Sequence, residues 1–216
     1  MKILSLLIAF SFAVLRVEAQ LVISPSTAAQ AVSTLLGPGV TVSGITFNGN
    51  PLQLGEFNGA ASNIGLNSGV IISSGGINSS VGPNNSGGVT IPFGGFRGDG
   101  DADLTALIGG TFVTGDAGVL EFDFVPMGDT IKFNYAFGSE EYNEYVCTSF
   151  NDVFGFFLTG PNPLGGNYNA TNLAIVPGTV STPVSINTVN NGTVGTNVGV
   201  PSICSNIDPN WASYQT

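Results

Sequence analysis

Four carboxylates, Glu140, Glu141, Glu144 and Asp152, fall within thirteen residues, accompanied by Asn143 and Asn151 and by no Lys or Arg. Carboxylates brought together by folding repel unless they face water or share a cation. Calcium suits such a group, because its large and flexible shell takes oxygens from carboxylates, amides and carbonyls alike. A second acidic run, Asp99-Gly100-Asp101-Ala102-Asp103, sets carboxylates at every other position and is a second candidate for Ca2+. It is not an EF-hand: counting from Asp99, Leu104 stands where that loop needs Gly and Gly110 where it needs a bidentate Glu. Each cluster also has a plainer reading. Asp99 to Asp103 would be an acidic turn capping a helix-like segment at 103–108. Glu140 to Asp152 would be a turn whose acids cap backbone N–H groups while Tyr142 and Tyr145 pack, or line an edge where a sugar or peptide stacks. Paired carboxylates are also the minimum for glycoside hydrolysis. A secreted, glycosidase-like hydrolase using Glu140, Glu141, Glu144 and Asp152 is therefore the alternative from a different class.

The rest of the composition narrows the chemistry. The chain of 216 residues has no His, which removes Ser-His-Asp and Cys-His nucleophile systems and His-ligated zinc. Four Lys and Arg against fourteen Asp and Glu give a net charge of −10. Such a surface repels nucleic acid and anionic lipid. Gly87-Gly88 and Gly94-Gly95 lack the Lys-Ser/Thr ending of a phosphate loop and read as turns. Asn78, Asn84, Asn169 and Asn191 begin N-x-S/T triplets that an Asn-rich chain produces by chance.

The start of the chain reads as an export signal. Lys2 precedes an apolar run over 3–15, and Val17-Glu18-Ala19 offers small residues to signal peptidase. That run is too short for a membrane span of roughly twenty residues. Cleavage after Ala19 would leave 20–216 as one domain, with no membrane span and a secreted or cell-surface location. In an exported chain, two cysteines far apart in sequence imply a disulfide, Cys147 to Cys204. Closing a loop of that length contributes ~4 kcal/mol when the geometry is unstrained.

Gly, Asn, Ser, Thr and Val dominate, the palette of strands joined by turns. One short N-terminal helix is expected, capped by Ser26, carrying Ala28, Ala29, Ala31, Val32, Leu35 and Leu36, and ended by Gly37-Pro38. Strands are expected at 40–47, 69–74, 119–125, 130–137, 153–159, 173–176 and 184–189, with a short one near 89–92. Residues 126–129 would join two of them as a hairpin. The fold class predicted is mainly β, a β-sandwich of jelly-roll type. Its two sheets would bury Phe122, Phe124, Phe133, Phe137, Phe154 and Phe156, each contributing ~2–3 kcal/mol.

The segment from Phe133 through Gly138-Ser139-Glu140-Glu141-Tyr142 to Glu144-Tyr145-Val146-Cys147, then Phe150-Asn151-Asp152-Val153-Phe154-Gly155-Phe156-Phe157-Leu158, resembles the choice-of-anchor L domain of secreted bacterial surface proteins. Thr159 stands where the family pattern has Ser. Leu35-Leu36-Gly37, Asn63-Ile64-Gly65-Leu66, Val70-Ile71-Ile72 and Asn172-Leu173-Ala174-Ile175-Val176 extend the likeness over nearly all of 20–216. Asp101-Ala102-Asp103-Leu104 falls at a DPDL-like element, with Ala102 replacing Pro. The resemblance implies a surface module of Bacteroidota type with variable anchors and no catalytic residues. It also implies more strands, and a sorting segment, beyond Tyr214, so a truncated C-terminal end is expected. The function expected is non-enzymatic: adhesion, assembly or ligand display, steadied by calcium. Its partners would be an extracellular protein, a glycan or copies of itself. The single Trp211 lends little to a sugar platform.

Overall fold

A computed structural model describes residues 20–82, 98–110, 112–128 and 130–197. The chain opens with strand β1 (Val22–Pro25) and helix α1 (Ala28–Leu36). Thr27, not Ser26, caps α1: its hydroxyl accepts from Gln30 N while Gln30 Oε1 accepts from Thr27 N, a reciprocal capping box. Ser26 sits one residue too early to reach the first turn, and its Oγ bonds Thr27 O instead. Ala31 and Val32 supply the buried face of α1, which packs on β2 (Thr41–Asn48), β3 (Leu54–Asn58) and β4 (Ser68–Ile72).

Strands β1, β3 and β4 form an antiparallel sheet in that order. Strand β2 pairs antiparallel with β5 (Val119–Val125) as a separate ribbon. Its register shifts between Ser43 and Thr46, where Gly44 takes a φ of +62° that a side chain would resist. Leu54 and Ile77 complete this region's core, and buried Gln53 ties three segments together. Its Nε2 donates to Ser74 O at 3.0 Å and Asp116 O at 2.6 Å, and its Oε1 accepts from Asn50 N. Helix α2 (Ala102–Leu107) leads back toward β5.

The later chain builds shorter pieces: β6 (Val153–Phe154) with β9 (Val184–Ser185), and the hairpin of β7 (Phe157–Pro161) with β8 (Asn167–Asn172). The protein is thus mainly β, with several small antiparallel sheets and few helices, and the described strands close no barrel. A jelly-roll sandwich needs two broad facing sheets. The described strands give one three-stranded sheet and three two-stranded ones.

Several expected strands change character. Residues 130–137 alternate apolar and polar yet join no sheet, so the expected hairpin does not form; Asp129, within its turn, lies outside the described residues. Rings hold this extended segment beside 153–157 instead: Phe133 meets Phe156 at 4.7 Å and Tyr135 meets Phe154 at 5.1 Å. Alternation specifies which side chains share a face, not which backbone answers their N–H groups. The 153–159 run breaks at Gly155-Phe156, because Asn172 Oδ1 takes the Phe156 N–H at 3.0 Å. Over 173–176 only an isolated bridge forms, Ile175 to Pro183. Residues 184–189 turn after Ser185, where Thr188 Oγ1 accepts from Ser185 N. The strand near 89–92 lies outside the described residues. Strands β1, β3 and β8 appear where none was expected. The six phenylalanines end half-buried, since short sheets let each ring pack locally. Core positions go instead to smaller side chains, among them Val146, Cys147 and Ile186.

Candidate functional site

The Asp99 to Asp103 run is largely accounted for by backbone contacts. Asp101 Oδ1 accepts from Leu104 N at 2.8 Å and caps α2, while Thr114 Oγ1 exchanges hydrogen bonds with the Asp101 main chain. Asp99 O accepts from Ala117 N, and the Asp99 and Asp103 side chains are exposed. The helix therefore starts at Ala102, one residue before the expected 103–108.

The acids at 140–152 sit on a different construction. Residues 140–147 run in tight turns, with Tyr145 N donating to Glu141 O at 2.9 Å and Thr148 N to Tyr145 O at 3.1 Å. Val146 and Cys147 pack with Ile186 in a small core, joined by Phe137, Tyr142 and Val194. The chain at 183–197 then grips this turn on both sides. Asn187, itself buried, does so with its side chain: Oδ1 accepts from Cys147 N at 2.8 Å and Nδ2 donates to Thr148 O at 2.9 Å. Asn151 Oδ1 returns the contact by accepting from Asn187 N at 3.0 Å, and Asp152 O accepts from Ile186 N. One amide side chain thus does the work of a strand partner, which lets Cys147 hold a φ of +65° with its N–H satisfied. Gly195 N donates to Val146 O and Asn197 N to Glu144 O, both at 2.9 Å. A Cβ on Gly195 would lie 2.2 Å from Glu144 O, so only glycine permits this approach. Asn190, also buried, ties its own loop by donating to Ile186 O and accepting from Gly192 N.

Within this frame the four acids share one neighbourhood. Asp152 Oδ2 accepts from Ser139 Oγ at 2.6 Å, and Ser139 Oγ accepts from Glu141 N. Burial, followed by the charges of Asp152, Glu140 and Glu144, pushes Glu141 up to about 7. Burial also raises Glu140, where a backbone hydrogen bond works against the shift and the Asp152 charge adds to it. Burial raises Asp152, and its bond from Ser139 holds part of the rise back. Lys132 is the only Lys or Arg among the described residues. Glu141 Oε2 and Glu144 Oε2 are fully enclosed and lack a hydrogen-bond partner. Among the described residues no three or more His, Cys, Asp or Glu are grouped tightly enough to hold a metal ion.

The tyrosines divide. Tyr142 turns inward, its hydroxyl donating to Val189 O and its ring against the core, so it offers no stacking face. Tyr145 packs edge-on against half-exposed Phe150 at 5.1 Å. Cys147 is buried; Cys204, its expected partner, lies outside the described residues, as does Trp211. Asn151 was named beside the acids, but sequence reasoning gave no role to Ser139, Asn187 or Asn190. The one signal for the two asparagines is the density of Asn between 187 and 191, which by itself reads as surface.

Among known families, the model of the choice-of-anchor L domain matches residues 20–216. No curated protein and no solved structure matches the chain. No described helix is long and apolar enough to cross a membrane.

Proposed function

Because the chain belongs to the choice-of-anchor L domain family, a surface-associated and non-catalytic module, we propose that it is exported and recognises an extracellular protein or glycan, or further copies of itself, through loops fixed on its small sheets. One observation carries this reading. Two of the groups a hydrolase would use in that segment are engaged within the protein, the Tyr142 hydroxyl donating to Val189 O and Asp152 accepting from Ser139 Oγ. A general acid or base must instead reach the proton it transfers. Export is supported by the family match beginning at Gln20, the residue after the expected cleavage point. The Cys147 to Cys204 disulfide belongs to the same reading and is supported by the absence of a free cysteine among the described residues.

The alternative of a secreted hydrolase separates cleanly. Purified protein is assayed for turnover and for binding on the same polysaccharide array, with sedimentation velocity reporting self-association. The reading predicts saturable binding or self-association without turnover, retained in Glu140→Gln. Turnover that disappears in Glu140→Gln while the variant stays folded would establish the hydrolase instead.

A further inference from the structure

Two segments of this chain carry strand periodicity beside an open edge. Strand β5 pairs with β2, and no described residue bonds its other side. In an antiparallel pair every second residue aims its N–H and C=O away from the partner, so β5 presents a row of open donors and acceptors. The main chain of Ile131, Lys132, Phe133 and Asn134 likewise makes no hydrogen bond among the described residues. Rings already fix the course of this second segment: Phe133 lies on Phe156, Tyr135 on Phe154, and Phe137 against the small core. A backbone held in this way loses little freedom when it gains a partner. Within one chain the two segments form no ladder with each other.

We infer that copies of this chain join edge to edge, β5 of one copy pairing with the 131–134 segment of another. The two segments match face by face. On β5, Glu121 and Asp123 are exposed on one side while Leu120, Phe122 and Phe124 are half-buried on the other. On the second segment Lys132 and Asn134 are exposed and Phe133 is half-buried. Pairing continues both faces, with Lys132 beside Glu121 or Asp123. It also brings Ile131, 39 % exposed, and Tyr135, 44 % exposed, alongside Leu120 and Phe122. Charge selects the partner. Two β5 edges would set acid against acid, whereas Lys132, the only Lys or Arg among the described residues, answers the acids of β5. The contact joins unlike surfaces, so each copy offers one edge of each kind. This inference rests on the self-recognition named above and gives it a surface; recognition of a glycan or another protein stands without it.

Sedimentation velocity of the purified protein over a concentration series tests the proposal, with circular dichroism confirming that each variant is folded. The sedimentation coefficient is expected to rise with concentration. Lys132→Glu weakens the association by about tenfold or more, and so does the double variant Glu121→Lys with Asp123→Lys. Mixing the two variants restores it, because each then meets an opposite charge on the other. All three substituted side chains are exposed, so the fold of one copy is left alone. Asp103→Asn, exposed on another segment, leaves the association unchanged. A protein that stays monomeric throughout, association that survives either charge-reversed variant, loss in Asp103→Asn, or variants that fail to recover on mixing would each overturn the proposal. Saturable binding to the polysaccharide array by a monomeric protein would overturn this inference alone and leave the wider reading of recognition standing.

Discussion

From β1 to β5 the chain is held by backbone ladders, with β3 shared between β1 and β4 and β2 matched to β5 around one bulge. From residue 139 to 197 ladders are short, and the chain is held by amide and hydroxyl side chains that reach across as many as 47 residues to backbone groups. Both regions enclose a core: Ala31, Val32, Leu54 and Ile77 in one, Val146, Cys147 and Ile186 in the other. The difference lies in how backbone polarity is satisfied. A ladder spreads that task over many equivalent bonds, so losing one side chain matters little to it. A side-chain clasp concentrates the task on single residues, and Asn187 is the clearest of them.

Core truncation tests what the regions share. Ile186→Ala is expected to destabilise by about 4 kcal/mol, and Ile77→Ala by a similar amount. Chemical denaturation checks both, and coincident transitions would show that the two regions unfold together. Replacing the clasp sharpens the contrast. Asn187→Ala strands the Cys147 N–H and Thr148 C=O in a buried site, an expected loss of about 3 kcal/mol. Thr188→Val in the same loop strands the buried Ser185 N–H and hydroxyl and should cost a similar amount. Thr27→Ala removes a cap on exposed α1 and should cost about 1 kcal/mol, read from the same denaturation curves.

The smallest effect is on pH. Glu141 is raised from 4.5 to about 7 in the folded protein, so its contribution is fully present below about 4.5 and is lost as pH rises through 7. Glu140 and Asp152, also raised, act in the same direction. Melts in chelator from pH 5 to pH 8 should therefore show Tm falling with pH, and Glu141→Gln should flatten the slope. Because Glu141 is partly exposed, solvent screening keeps its share below about 1 kcal/mol.

The same contrast explains what the sequence made legible. Residues 119–125 alternate cleanly and form β5 over that span, because a ladder's side chains repeat with a fixed period. The capped apolar stretch before Gly37 likewise ends as α1. Residues 130–137 have the same alternation but no ladder, since ring contacts satisfy the pattern as well as a sheet does. Strand β8, Asn167–Asn172, went unnoticed because its polar sequence gains a partner only through the turn at 162–166. At the site, the acids of 140–152 were found by type and their shared neighbourhood followed. Asn187 was not found, because a buried amide and an exposed one look alike until the chain has folded around it.

Amide hydrogen exchange at Cys147 tests the central claim, that a single asparagine side chain holds the acidic turn in place. In the unmodified protein that amide should be protected as strongly as those of β3 and β4. In Asn187→Ala its protection should collapse while theirs persists in proportion to the remaining stability. Rapid exchange at Cys147 before any substitution, or protection unchanged by the loss of Asn187, would contradict the account.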